Sequence, residues 1–208
     1  PAILFIEQPS LHLTSKWSLR EISKRNLVAY VPYGFKVASV ESDHFNLPLH
    51  NAAWRVYAET QWHKEKFAEW GKRGGKNVVV SGYVKFDQYL GLLDEKVRNR
   101  ATDTPTTIIW APHWSVRDNY LGYSSFEQFH QLFVDMSVQY PGITWVFKPH
   151  PRLRFQLVHS RLFTEQQVDA YYSWWNLQHN TSLYESGDYF KLFAESAALI
   201  TDSGSFLA

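Results

Sequence analysis

The residues best suited to chemistry lie in short turns, and each turn directly follows an apolar run of strand length. Five such turns occur: Pro32-Tyr33-Gly34, Ser81-Gly82-Tyr83, Pro112-His113-Trp114, Lys148-Pro149-His150-Pro151-Arg152 and Asp202-Ser203-Gly204-Ser205. Ligands of open parallel sheets bind outside the carboxyl ends of the strands. The sequence therefore predicts that these turns line ligand-binding edges.

The last turn has the composition of a phosphate site. It follows the apolar run 197–200 and precedes apolar residues that could open a helix. Backbone N–H groups at such a strand-to-helix turn, together with the positive end of the helix dipole, suit a phosphate. Ser203 and Ser205 add hydroxyl donors, and Gly204 leaves the backbone open to close approach. The alternative is an ordinary helix cap, with Asp202 or Ser203 as the N-cap residue.

Two further turns, each containing a histidine, have side chains that could also bind a phosphate. Lys148 and Arg152 supply positive charge, which a diphosphate requires beside its hydrogen-bond donors. His113 and His150 are fit either to steady a leaving phosphate or to move a proton near neutral pH. A single histidine after a strand is more often an ordinary loop residue. We expect no metal, because neither histidine has a carboxylate at metal-ligand spacing.

Apolar strand-like runs alternate with helical patterns along the whole chain, which predicts an α/β protein with two parallel-sheet units. The polar, proline-containing stretch 101–106 is the best linker candidate, and it separates residues 1–100 from residues 107–208. The chain begins on a strand-like run and ends inside a strand-to-helix turn. We therefore expect it to be a fragment, incomplete at both ends.

Composition narrows the class of protein. The 208 residues carry a net charge of +1, which argues against general nucleic-acid binding. There is no cysteine, so disulfides and thiolate catalysis are excluded. No apolar run is long enough to span a membrane. Aromatic residues make up 17% of the chain, enough to leave a surface for sugars, lipids or a partner after the core is filled.

Three motifs resemble those of the CDP-glycerol glycerophosphotransferases of teichoic acid and capsule synthesis. They are W-A-P-H-W at 110–114, F-K-P-H-P at 147–151 and I-T-D-S-G-S-F at 200–206. A fourth stretch, 80–87, resembles the G-x-x-R-x-D turn that precedes the second domain of that family. The resemblance implies a GT-B fold of two Rossmann-like domains, with residues 1–100 on the acceptor side and 107–208 holding the nucleotide.

The resemblance also implies a reaction and its residues. A nucleotide-diphosphate donor such as CDP-glycerol would transfer glycerophosphate or a sugar to a surface polysaccharide or glycolipid acceptor, with no further cofactor. The enzyme would be bacterial and cytoplasmic, or peripheral at the inner face of the plasma membrane. The implied catalytic residues are His150, His113 and Tyr33. The implied donor-binding residues are Asp202, Ser203, Gly204, Ser205, Lys148, Arg152, Gly34 and Gly82.

Two departures from the family keep other functions open. Tyr33-Gly34 stands where the family has a His-Gly pair proposed as its catalytic base, so Tyr33 or His44 would replace it. The Thr-Asp-Ser-Gly-Ser turn is closer to the Asp-Ser-Gly-Gly turn of UDP-N-acetylglucosamine 2-epimerases, GT-B relatives in which it holds the diphosphate. The alternatives are therefore an epimerase-like sugar-nucleotide enzyme and a non-catalytic GT-B-like binding module.

Overall fold

A computed structural model describes residues 2–8, 18–36, 41–98, 106–117, 121–185 and 189–206, with the side chains of residues 93–98 and 205 left aside. The chain divides into two compact units, one ending at Asp87 and the other beginning at Gln88. Of the predicted linker, residues 101–105 lie outside the described residues.

The first unit is a four-stranded sheet with helical crossovers. Its strands pair in parallel in the order β1-β2-β3-β4. They are β1 (Ile3–Ile6), β2 (Leu27–Tyr30), β3 (Arg55–Ala58) and β4 (Val78–Val80). The helices are α1 (Leu19–Arg25), α2 (Glu41–Phe45), α3 (Pro48–Ala52) and α4 (Gln61–Trp70), followed by α5 (Lys85–Arg98), which spans the division between the units.

The second unit contains another parallel sheet, in the order β7-β6-β5-β8. Its strands are β5 (Thr107–Ala111), β6 (Thr144–Phe147), β7 (Thr181–Leu183) and β8 (Ala198–Thr201). Its further helices are α6 (Phe126–Gln139), α7 (Leu153–His159), α8 (Glu165–Trp174) and α9 (Tyr189–Glu195). A short 3₁₀ turn, Gly204–Phe206, follows β8.

Alternate residues of the central strands pack on opposite faces of the second sheet. Trp110 and Phe147 enter a large aromatic core on one face, and Ile109 and Val146 enter a smaller apolar cluster on the other. This two-sided burial explains why β5 and β6 are continuous apolar runs in the sequence. It also leaves the carboxyl ends of both strands as the place where polar side chains gather.

The α/β prediction is confirmed, with two parallel sheets and strands close to their predicted positions. Thr60 caps α4, its side chain accepting a hydrogen bond from the backbone N–H of His63. Helix α7 follows directly after the turn at 148–152. Its apolar face contributes Leu153 and Leu157 to the core. In the described part of the chain, no helix is both long and apolar enough to cross a bilayer.

Candidate functional site

The strands β5 and β6 end side by side, and their turns continue together. Beyond the paired Trp110 and Phe147, the backbone N–H of Lys148 donates to the carbonyl of Trp110 at 2.8 Å. The N–H of His150 then donates to the carbonyl of Pro112 at 3.2 Å. This alignment places the rings of His113 and His150 with their centroids 5.4 Å apart. The two histidines singled out by the sequence therefore form one pair.

The pKa values of both imidazoles are below the usual range for histidine. For His113 the main cause is burial; Arg152 lowers the pKa further, and Asp202 acts in the opposite direction. Burial lowers the pKa of His150 to about 4, assisted by the nearby charges of His113, Arg152 and Lys148. Both rings are accordingly neutral at pH 7.

The ammonium of Lys148 lies among three aromatic rings. The side chain is largely buried, and its Nζ lies 5.6, 5.1 and 5.2 Å from the ring centroids of Tyr184, Tyr189 and Phe206. No carboxylate in the described residues forms an ion pair with it, and burial lowers its pKa. Aromatic faces compensate such a cation only in part. An anionic ligand would complete its neutralisation.

Arg152 lies flat against an indole at the same edge. Its guanidinium carbon is 4.0 Å from the centroid of the Trp114 ring, and Arg152 itself is exposed. Stacking restrains the guanidinium while leaving its edge free to donate, which is the geometry that favours bidentate phosphate contacts.

Asp202 joins the last turn to the turn after β5 and to the start of α6. Its carboxylate accepts hydrogen bonds from the backbone N–H of His113 and from the N–H and hydroxyl of Ser125, the latter two at 2.5 and 2.6 Å. Its oxygens are thus directed to backbone and hydroxyl groups of the protein. This geometry makes Asp202 an anchor for the site, while its expected contact with the nucleotide donor stays a prediction.

The rest of that turn is compact. Ser203 is fully buried, and its N–H donates to the hydroxyl of Thr201 at 3.0 Å. The carbonyl of Ser203 accepts from the N–H of Phe206, which closes the 3₁₀ turn containing Gly204 and Ser205. Phe206 also contacts the ammonium of Lys148. The small turn and the buried cation therefore lie next to each other.

The remaining predicted residues form a separate group in the first unit. Tyr33 is half exposed after β2, next to Gly34. The hydroxyl of Tyr83 donates to the carbonyl of Tyr33 at 3.0 Å, which holds that loop beside the turn containing Gly82. Gly82 has a φ of 83°, a left-handed conformation that favours glycine.

The first unit also contains a buried charge cluster that the sequence did not reveal. Glu59, directly after β3, accepts a hydrogen bond from Lys36 at 2.8 Å, and both side chains are almost inaccessible to solvent. His63 lies nearby, with its Nδ1 3.9 Å from a Glu59 oxygen. Lys36 and Glu59 are 23 positions apart, so no spacing rule joins them.

Three groups of the second-unit site were also missed. They are Ser115, whose hydroxyl lies 2.8 Å from Nδ1 of His113, Ser125, and the aromatic rings around Lys148. Serine and aromatic residues are too common for their types to indicate such roles. Among the residues that the structure describes, no group of three potential ligands is placed to hold a metal ion.

Comparison with known proteins identifies the fold. No protein-family model and no curated protein sequence matches the chain. The structure is similar to that of a UDP-GlcNAc 2-epimerase from Neisseria meningitidis bound to UDP-GlcNAc, with a TM-score of 0.58 and 14% identity. That match covers 98% of this chain and 54% of the epimerase chain.

A second similar structure is a UDP-GlcNAc 2-epimerase from Methanocaldococcus jannaschii in complex with UDP-GlcNAc and UDP. Its TM-score is 0.53 at 17% identity, over 90% of this chain and 51% of that one. The chain thus spans about half the length of these enzymes. The likeness shows a GT-B-like fold with two Rossmann-like parallel-sheet units.

Proposed function

We propose that the second unit binds the diphosphate of a nucleoside diphosphate sugar, and that the chain is part of a UDP-N-acetylglucosamine 2-epimerase-like enzyme. One observation carries the proposal. His113, His150, Lys148 and Arg152 gather at the carboxyl edge of one parallel sheet, where ligands of such folds bind.

Charge supports a diphosphate as the ligand. Because both histidines are neutral at pH 7, the positive charge of the cluster comes from Lys148 and Arg152. A nucleoside diphosphate sugar carries one negative charge on each phosphate, which matches these two cations. Neutral imidazole N–H groups and the backbone N–H groups of Gly204 and Ser205 supply donors for the remaining phosphate oxygens.

Two observations favour an epimerase over a transferase. The turn after β8 reads Asp-Ser-Gly-Ser, close to the Asp-Ser-Gly-Gly turn of the epimerases. The two similar structures reported above are both 2-epimerases with bound UDP-GlcNAc. In the proposed reaction the second unit holds the nucleotide diphosphate, while an acid/base pair inverts the configuration at C2 of the sugar.

The second candidate is transfer of glycerophosphate or a sugar from a CDP-glycerol-like donor to a surface polysaccharide or glycolipid. The observation favouring it is that the motifs at 110–114, 147–151 and 200–206 end three neighbouring strands. The same anion site would then stabilise the leaving nucleotide. Peripheral membrane association belongs to this candidate alone.

A ligand panel separates these functions. Thermal unfolding is measured with UDP, UDP-N-acetylglucosamine, CMP and CDP-glycerol, since a ligand that binds the native state raises Tm. We expect the two uridine nucleotides to raise Tm, and we expect Arg152→Gln to abolish the rise. Arg154→Gln is the matched control, because Arg154 forms an exposed ion pair with Asp169 and lies outside the cluster.

Products then identify the reaction. Interconversion of UDP-sugars without an acceptor supports the epimerase, release of CMP from CDP-glycerol supports glycerophosphate transfer, and release of UDP or CDP supports glycosyl transfer. If no nucleotide shifts Tm and nothing turns over, the proposal is wrong and a non-catalytic binding module remains.

A further inference from the structure

The same backbone contact fixes both histidine rings of the anion site. The N–H of Ser115 donates to Nδ1 of His113 at 3.2 Å, and the N–H of Arg152 donates to Nδ1 of His150 at 3.1 Å. In each case the donor lies two residues after the histidine. A nitrogen that accepts a hydrogen bond cannot carry the proton of a neutral imidazole, so this contact leaves the proton on Nε2.

His113 has a second donor, and within the described part of the chain His150 has none. The hydroxyl oxygen of Ser115 lies 2.8 Å from Nδ1 of His113, and it accepts a hydrogen bond from the N–H of Tyr123 at 3.0 Å. Ser115 is 1% exposed, so bulk water does not compete for these bonds. With the Tyr123 N–H directed at the oxygen, the hydroxyl proton is the group available to point at Nδ1.

We propose that Ser115 is a positioning residue that holds His113 in its Nε2–H tautomer, so that His113 serves the site as a neutral hydrogen-bond donor. The receiver of that N–H is a phosphate oxygen, and this part rests on the proposed function. Nε2 of His113 is then already protonated and is not a general base at neutral pH.

The charges around His113 are consistent with this state. Burial and Arg152 lower its pKa, whereas Asp202, which accepts the backbone N–H of the same residue, raises it. The ring of His150 lies 5.4 Å from that of His113 between centroids, and the pKa of His150 is also lowered. The neutral form therefore prevails, and its tautomer determines which atom is offered to the ligand.

The experiment is a long-range ¹H–¹⁵N correlation spectrum of ¹⁵N-histidine-labelled protein at pH 7. The chain has nine histidines, so His113 and His150 are assigned through His113→Gln and His150→Gln. For the native chain we expect both residues to show an unprotonated Nδ1 and a protonated Nε2. A protonated Nδ1 on His113 would overturn the proposal without any variant of Ser115.

Replacement of Ser115 tests whether this residue holds the tautomer of His113. Ser115→Ala keeps the backbone donor, as at His150, and removes the hydroxyl, so part of the His113 population should shift to the Nδ1–H form. The averaged Nδ1 resonance of His113 should then move part of the way towards the protonated position, while that of His150 stays unchanged. Ser115→Thr, which restores a hydroxyl, should return it. If Ser115→Ala leaves both nitrogen resonances of His113 in place, Ser115 does not hold the tautomer. These spectra need no nucleotide, so a protein with the expected tautomers that binds no nucleotide refutes the proposed function alone.

Discussion

The carboxylate of Asp202 binds Ser125 through one oxygen, accepting from its backbone N–H at 2.5 Å and its hydroxyl at 2.6 Å. Ser125 is the N-cap residue of α6, directly before its first residue, Phe126. The other carboxylate oxygen accepts the backbone N–H of His113. One side chain from the end of β8 therefore fixes both the turn after β5 and the start of the next helix.

Asp202→Ala should lower the free energy of unfolding by about 3 kcal/mol, because hydrogen bonds to a charged acceptor are each worth roughly 1.5–3 kcal/mol. Asp202→Asn keeps one acceptor oxygen, so its free energy of unfolding should lie between those of Asp202→Ala and the native chain. Urea denaturation measures the change. Asp169→Ala is the control, since its ion pair with Arg154 is exposed and should contribute less than about 1 kcal/mol. Equal losses for Asp202→Ala and Asp169→Ala would refute the anchoring role.

Lys148→Met should separate stability from ligand binding. Methionine fits among the three aromatic rings and removes the cost of burying an ammonium that has no carboxylate partner in the described residues. We expect Tm without ligand to stay the same or rise, while affinity for UDP falls at least about tenfold, the loss of one charged hydrogen bond.

Thermal unfolding and nucleotide titration measure the two effects on the same protein. Lys191→Met is the control, because Lys191 is exposed and pairs with Glu195 on its own helix. It should change neither quantity. A clear loss of stability in Lys148→Met, or unchanged UDP affinity, would contradict the role given to the buried cation.

The strands and their polar ends could be predicted from the sequence because both depend on local patterns. A buried parallel strand is an apolar run, and the residue after it lies at the ligand-binding edge whatever the rest of the fold does. This placed His113 and His150 correctly, and the structure brings their rings together.

Contacts between distant residues could not be predicted in this way. Asp202 reaches Ser125 across 77 positions, and Glu59 meets Lys36 across 23. Both depend on which strands become neighbours in the sheet. The sequence therefore predicted a ligand contact for Asp202. It could not predict that the carboxylate of Asp202 accepts hydrogen bonds from His113 and Ser125.

Acidification should destabilise the protein between about pH 6.5 and pH 4. Burial lowers the pKa of His50 to about 3, assisted by the charges of Lys36 and His44, and that of His150 is about 4. The unfolded chain, with histidine pKa values near 6.5, binds more protons over this range, so the free energy of unfolding falls as pH falls. Above about pH 7 these groups contribute no pH dependence.

Urea midpoints at pH 7.5 and pH 5.0 measure this effect. We expect His50 to contribute a loss of about 2 kcal/mol at pH 5.0, from 1.36 kcal/mol for each pH unit below 6.5. His150 is less buried, so its contribution should be smaller. His50→Leu should remove the contribution of His50 to the difference in the free energy of unfolding between pH 7.5 and pH 5.0. A His50→Leu protein with the full native pH dependence would show that His50 is not responsible.

Lys36 and Glu59, which form an ion pair, should contribute to the free energy of unfolding in a strongly coupled way. Both side chains are nearly inaccessible, and burial lowers the pKa of Lys36 while Glu59 opposes that change. One oxygen of Glu59 has no hydrogen-bond partner among the residues that the structure describes. Lys36→Met or Glu59→Leu alone leaves an uncompensated buried charge, which costs about 3–5 kcal/mol.

The double variant removes both charges and should be more stable than either single variant, giving a coupling energy above about 2 kcal/mol in a double-mutant cycle. The exposed pair of Lys66 and Glu69, three residues apart on α4, is the matched control and should couple by no more than about 0.5 kcal/mol. Chemical denaturation of the four proteins in each cycle gives both values. If the two pairs couple equally weakly, the first unit does not contain the buried charge pair that the structure shows.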